Sequence, residues 1–253
     1  MAVIPVTFVT SVLIYVYVFG AGSNFIGGSN ANLPLPGNYF GIIYKGGVIV
    51  PLLLCMLLTT LAFIVERFLA IGKAAGKGRM VDFMSEINDL LKLGKVNDAK
   101  AACNNQKGSV ANVILCGLNK YQEMETEKEL DKDQKLITIT KEIEEATSLE
   151  LPALEQNLVI LSTMASVATL IGLLGTVIGM IKAFSALANA GAPDSVALAA
   201  GISEALINTA LGIGTSALAI VFYNFFTTKI DKLTYSIDEA GFTIVNTFAS
   251  RNK

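Results

Sequence analysis

The chain reads as an all-α, polytopic membrane protein carrying a helical domain outside the bilayer, and three observations predict this. Of its 253 residues 53% are hydrophobic and mean hydropathy is +0.57, well above the composition of an ordinary soluble domain. Four apolar runs approach or exceed the roughly 20 residues that a helix needs to cross hydrocarbon. Between the second and third runs lies a charged stretch whose apolar residues recur at helical spacing.

The first run, residues 2–20, is nearly free of polar groups. No Lys or Arg precedes it as a secretory leader requires, so it is predicted to stay as an N-terminal membrane helix within residues 1–22. Residues 23–45 are dense in Gly, Asn and Pro and are predicted as a loop. A second span follows over residues 46–66, with Pro51 near its start, where a helix tolerates a missing N–H, and Glu66-Arg67 at its end.

Residues 67–155 turn charged. Met80, Phe83, Met84, Ile87, Leu90 and Leu91 share a helical face, as do Val110, Val113, Ile114, Leu118 and Tyr121, so a helical domain is predicted. The Lys and Glu residues of 130–150 read as a solvated helix face. From there the pattern enters residues 156–182 without a glycine break, predicting one long rod with Pro152 as its kink. A loop over 183–203 turning at Gly191, Pro193 and Asp194, a span over 204–228 and a charged helix over 229–253 complete the chain.

Arg67, Lys73, Lys77 and Arg79 flank the second span, and Lys229 and Lys232 follow the last. By the positive-inside rule this puts 67–155 and 229–253 in the cytoplasm and both loops on the other side, with Lys45 and Lys182 snorkelling to lipid headgroups.

Composition also excludes classes of function. A net charge of −2 gives no phosphate-binding surface for nucleic acid. Histidine is absent, which removes the commonest metal ligand and general base. Cys55, Cys103 and Cys116 form no CxxC pair and read as small buried hydrophobes. Neither an enzyme centre, a metal site nor a cofactor is expected, and no internal repeat suggests a secondary transporter working alone.

The informative segments are the last two spans. Ser162, Ser166, Thr169, Gly172, Thr176 and Gly179 recur every three or four residues, and Gly175-x-x-x-Gly179 has the spacing of a helix-packing motif. Such a stripe serves close helix packing, through Gly172, Gly175, Gly179 and Gly212, or lines a wet pathway with hydroxyls. In the fourth run Glu204, Asn208, Gly212 and Thr215 share a face that Thr209 and Ser216 widen. Glu204 either caps the helix start or marks an ion path. No carboxylate lies deep in either run, so a proton crossing here needs its titrating acid from another chain.

Two segments, Gly172-Leu-Leu-Gly-Thr-Val-Ile-Gly179 and Gly201-Ile-Ser-Glu-Ala-Leu-Ile-Asn-Thr-Ala-Leu-Gly-Ile-Gly214, followed by Tyr223-Asn224-Phe225, resemble the MotA/TolQ/ExbB proton-channel family, and ExbB most. The resemblance implies a homo-oligomeric ring, a pentamer, in the bacterial inner membrane, with residues 23–45 and 183–203 periplasmic. It implies an ExbD-like single-span partner whose transmembrane Asp takes the proton, and a TonB-like protein that receives the work. Thr176, Glu204 and Thr209 match the family's hydroxyl and acid positions, and Asn208, Thr169 and Thr215 complete the expected pathway. A TolQ-like, gliding or MotA-like role is the alternative within the family. Two features depart from the pattern: Asn208 stands where a small residue is expected, and an extra apolar run precedes the usual three spans.

Overall fold

A computed structural model describes residues 3–188 and 194–251, and among these the chain is helical with no β-strand beyond an isolated bridge between Phe25 and Pro34. Three helical stretches are long and apolar enough to cross a membrane, within residues 47–93, 132–188 and 195–251. Helix α1 (Val3–Leu13) runs on into wider turns at Ile14–Phe19, a shorter apolar helix than the other three. The chain divides into two compact units, one of residues 1–65 and 159–223, the other of 66–158 and 224–253.

In the first unit, α3 (Val50–Ala75) begins, α8 (Leu158–Ala188) lies almost whole, and α9 (Ser195–Arg251) enters. Small residues make the α8–α9 contact. Ala165, Ala168, Gly172, Gly175, Gly179 and Ala183 form the buried line of α8. A methyl added to Gly179 would lie 2.7 Å from the Ala205 nitrogen, and one on Gly212 would lie 2.7 Å from the Ala168 carbonyl oxygen. Backbones this close forgo side-chain bulk for dispersion contacts, the way helices associate where the solvent is itself apolar. Ser216 adds a hydrogen bond to the Ala165 carbonyl.

The segment predicted as a plain loop, 23–45, is instead an ordered structure. Buried Asn24 donates to the Val18 and Phe19 carbonyls at 2.7 and 3.0 Å and accepts from Asn38 at 3.1 Å. Short helix α2 (Tyr39–Tyr44) is capped by Asn38, and Tyr44 stacks on Tyr15 with ring centroids 4.7 Å apart. Lys45 has partners inside this segment: its ammonium donates to the Asn30 and Ala31 carbonyls at 2.9 and 3.2 Å. Helix α1 is tied to α3 by a 2.8 Å hydroxyl contact between Thr7 and Thr59.

The second unit is built differently. Helices α4 (Met80–Leu93), α5 (Val96–Gln106), α6 (Gly108–Thr126) and α7 (Lys132–Glu155) bury large apolar side chains together with the last part of α9. The predicted faces supply Phe83, Met84, Ile87 and Leu91, and Val110, Val113, Ile114, Leu118 and Tyr121, all buried; Met80 and Leu90 lie half-exposed. Gly94, left-handed at φ 74°, closes α4, and Asp131 with Gln134 forms a capping box on α7.

Two expectations change here. The rod across 156–182 is interrupted at Gln156 and Asn157, not at Pro152, which sits inside α7. Asn157 takes φ 67°, a left-handed conformation that Asn tolerates. Arg67, counted above as a flanking surface cation, is 2% exposed; its guanidinium contacts Glu66 at 2.6 Å and donates to the Leu154 carbonyl at 3.0 Å. The cysteines are free, Cys55 and Cys103 buried and Cys116 half-buried.

Candidate functional site

Helix α9 starts nine residues before the position expected for its span. Asp194 sets that start, its carboxylate accepting from the Val196 and Ala197 nitrogens at 3.0 Å each, and the Ala-rich sequence that follows propagates the helix. The expected loop over 183–203 is therefore helical through Ala188 and again from Ser195. Its turn at Gly191 and Pro193 lies outside the described residues. Glu204 sits in the third turn of α9, so the capping reading fails; the charge has another partner.

That partner is Lys182 of α8. Its ammonium lies 2.6 Å from Glu204 Oε1, and the Glu204 side chain is 12% exposed. The carboxylate also lies against the backbone of Gly47, where a Cβ would fall 2.4 Å from Oε1; Gly47 holds φ 79°. Lys182, expected only as a headgroup contact, thus pairs with an acid.

One turn deeper, Asn208 is fully buried. Its amide donates to the Gly46 carbonyl at 3.0 Å, and its Cβ and Cγ fill the space that the missing side chain of Gly175 leaves. The Asn208 Oδ1 has no hydrogen-bond partner among the described residues.

Next along α9, the Thr209 hydroxyl meets the Thr176 hydroxyl across the α8–α9 contact in a short hydrogen bond. Thr176 also lies 3.2 Å from the Gly172 carbonyl oxygen and 3.4 Å from that of Ala205, and Thr209 lies 3.2 Å from the Ala205 carbonyl. Both side chains are half-buried. Thr176 opens onto a shallow groove of α8 lined by Val177, Met180, Ile181 and Phe184. One hydroxyl of a pair can donate while the other accepts, and Thr176 is the member that borders the groove.

The remaining expected residues fall in three places. Thr215 is buried on the same face of α9 as Asn208 and Gly212, whereas Thr169 is half-buried. Gly172, Gly175, Gly179 and Gly212 lie in the α8–α9 contact. Ser162 and Ser166 are exposed on the α8 surface, so the small residues divide into a buried glycine line and a neighbouring hydroxyl line. Residue-type reasoning missed Lys182 and the Gly46–Gly47 turn as parts of this site. The signal available was the lone Lys at the end of an apolar run, 22 residues before the lone Glu of the next. Among the described residues no three Cys, Asp or Glu side chains converge as a metal ion would need.

Comparison with known proteins bears on these helices directly. The family model described as the MotA/TolQ/ExbB proton channel family matches residues 108–239. The chain is 28% identical over 186 residues to the putative biopolymer transport protein ExbB-like 3 of Synechocystis, covering 72% of this chain and 81% of that one. With the Tol-Pal system protein TolQ of Pseudomonas aeruginosa it shares 30% identity over 124 residues, 49% of this chain and 54% of the relative. A biopolymer transport protein ExbB of Pseudomonas putida is 39% identical over 71 residues, 28% of this chain and 22% of the relative. The match thus spans about half of that TolQ and less than a quarter of that ExbB.

Proposed function

This chain belongs to the MotA/TolQ/ExbB proton channel family, and from that premise we propose that it is a non-enzymatic stator subunit coupling proton flow across the bacterial inner membrane to mechanical work. The observation that carries the proposal is the Thr176–Thr209 hydroxyl pair at the edge of an apolar groove. No Asp or Glu lies deep in the two spans that hold it, so the titrating acid comes from a partner. An ExbD-like single-span protein with a transmembrane Asp supplies it. The apolar walls raise that acid's pKa by desolvation, and the two hydroxyls donate to its ionised form, so it can change charge during transit. Thr169 of α8 and Thr215 of α9 extend the polar path from this pair toward the Leu158 end of α8.

In this reading several copies of the chain, five by the family's ring, surround the partner. The basic residues Lys73, Lys77, Arg79, Lys229 and Lys232 support a cytoplasmic position for residues 67–155 and the end of α9, and with it a periplasmic one for residues 23–45 and the α8–α9 connection. The work passes through a TonB-like protein to outer-membrane transport, in the ExbB manner. A TolQ-like envelope role uses the same helices with a different partner, and the similarity to both names supports the shared mechanism equally.

The experiment is proton flux into liposomes by the chain purified with its single-span neighbour. Thr176→Val and Thr209→Val keep shape and remove the hydroxyl, and each is expected to lower flux by about 10²-fold or more while native mass still reports the assembled complex. Wild-type flux in both variants would refute the pathway.

A further inference from the structure

The unusual Asn208 and the glycines that lead into α3 meet at one point. Gly46 and Gly47, immediately before α3, lie against Asn208 and Glu204 of α9. Asn208 donates to the Gly46 carbonyl at 3.0 Å, and Glu204 rests on Gly47, where the absence of a Cβ and a left-handed φ of 79° permit the approach. Lys182 closes the arrangement from α8 at 2.6 Å. Ile207, between the two polar residues, packs toward Gly46, where an added methyl would lie 2.8 Å from its Cγ2.

We infer that Lys182, Glu204 and Asn208 form a clasp fastening the Gly46–Gly47 turn, and with it the ordered N-terminal segment, to the two helices that carry Thr176 and Thr209. The inference rests on the channel reading and deepens it, because Glu204 and Asn208 then serve proton passage as positioning residues and do not carry the proton. Three features argue for this. The Glu204 carboxylate already has a partner within its own chain, the Lys182 ammonium at 2.6 Å. A fully buried amide whose donor is engaged by a backbone carbonyl is fixed in place. Both residues also face the start of α3, whereas the Thr176–Thr209 pair borders the groove of α8.

The segment so fastened is itself rigid. Asn24, Asn38, Tyr15 and Tyr44 knit residues 14–45 through hydrogen bonds and stacking. Through the clasp that rigidity reaches the third and fourth turns of α9. Hydroxyls that must stay within hydrogen-bonding reach of a moving acid gain from such a fixed frame, since a displacement of about 1 Å in a reacting geometry can cost about a hundredfold in rate.

The test uses the full chain with its single-span partner in liposomes, with an internal pH dye reporting flux and hydrogen exchange reporting residues 39–47. Lys182→Gln and Glu204→Gln should lower flux by the same factor, about ten- to a hundredfold, and the double variant by no more than either. Lys182→Arg should keep flux, and the exchanged pair Lys182→Glu with Glu204→Lys should restore most of it. Asn208→Ala should speed exchange over 39–47 while Thr176→Val leaves exchange there unchanged. If Glu204→Gln stops flux while Lys182→Gln is indistinguishable from wild type, Glu204 acts on the proton itself and the clasp is overturned. Unaltered exchange over 39–47 in Asn208→Ala and Glu204→Gln overturns it as well, and this readout needs no flux. Wild-type flux in Thr176→Val would strike the channel reading and leave the clasp to be judged by exchange alone.

Discussion

The α8–α9 contact of the first unit and the core of the second reach close packing by opposite means. Where α8 meets α9, the contact is made by Gly172, Gly175, Gly179, Gly201 and Gly212 with Ala165, Ala168 and Ala183, and most of the large apolar side chains, such as Leu173, Leu174 and Val177, point outward. In the unit of α4–α7 and the end of α9, the buried residues are Phe83, Ile87, Leu91, Ile114, Leu118, Tyr121 and Phe248, with charged side chains outside. Moving a leucine from lipid into a protein gains little, so helices in a bilayer associate through close backbone contact and polar bonds. Moving it from water gains about 25 cal/mol per Å².

Replacing the small residues should produce the largest effect. Gly179→Leu and Gly212→Leu place atoms inside backbone positions that even a Cβ would strike, at 2.7 Å from the Ala205 nitrogen and from the Ala168 carbonyl oxygen respectively. Both variants are expected to lose the assembled complex in native mass measurements, and a normal complex would break the comparison at its root.

Next in size is the converse change in the other unit. Leu118→Ala empties a fully buried site between helices and should cost about 2–5 kcal/mol, read as lost hydrogen-exchange protection in α6 with α8 protection retained.

Alkaline titration sharpens the contrast further. Burial pushes the Cys103 thiol up to about 12, above its ordinary range near 9. The folded state therefore holds that proton more tightly than the unfolded one. Its contribution is complete below about pH 9 and is lost as pH rises toward about 12. Cys103→Ser should flatten this alkaline loss, and Cys103 should resist thiol alkylation at neutral pH while Cys116, half-buried, reacts first.

The smallest expected effect comes from a glycine outside both contact systems. Gly72 in α3 has open space around its Cβ position, so Gly72→Ala should stabilise by about 0.5–1 kcal/mol, seen as a small rise in Tm. The same substitution at Gly179 should lower it.

Legibility in the sequence followed the reach of each signal. Helical periodicity named Phe83, Met84, Ile87, Val110, Ile114 and Leu118 as buried, because the 3.6-residue repeat carries one-sided burial within a single helix. The face of Glu204, Asn208, Gly212 and Thr215 was readable for the same reason, and all four are buried. Ser162 and Ser166 were not separable from the glycine line, since the two lines share nearly the same period. The order in residues 23–45 was hidden because Gly, Asn and Pro signal turns equally well whether or not an Asn24 closes them with side-chain hydrogen bonds.

From its residues alone the chain determined that it is helical, where its apolar runs lie and which face of each helix is small or polar, since these follow from local composition and spacing. Pairing was decided only in three dimensions: Lys182 with Glu204, Asn208 with Gly46, Arg67 with Glu66 and Leu154, and Thr176 with Thr209. Four of these pairings join groups distant along the chain, and even the fifth, Arg67 with its neighbour Glu66, depends on the burial that α7 provides. A charge or an amide has no fixed partner until packing removes water and leaves one group within reach.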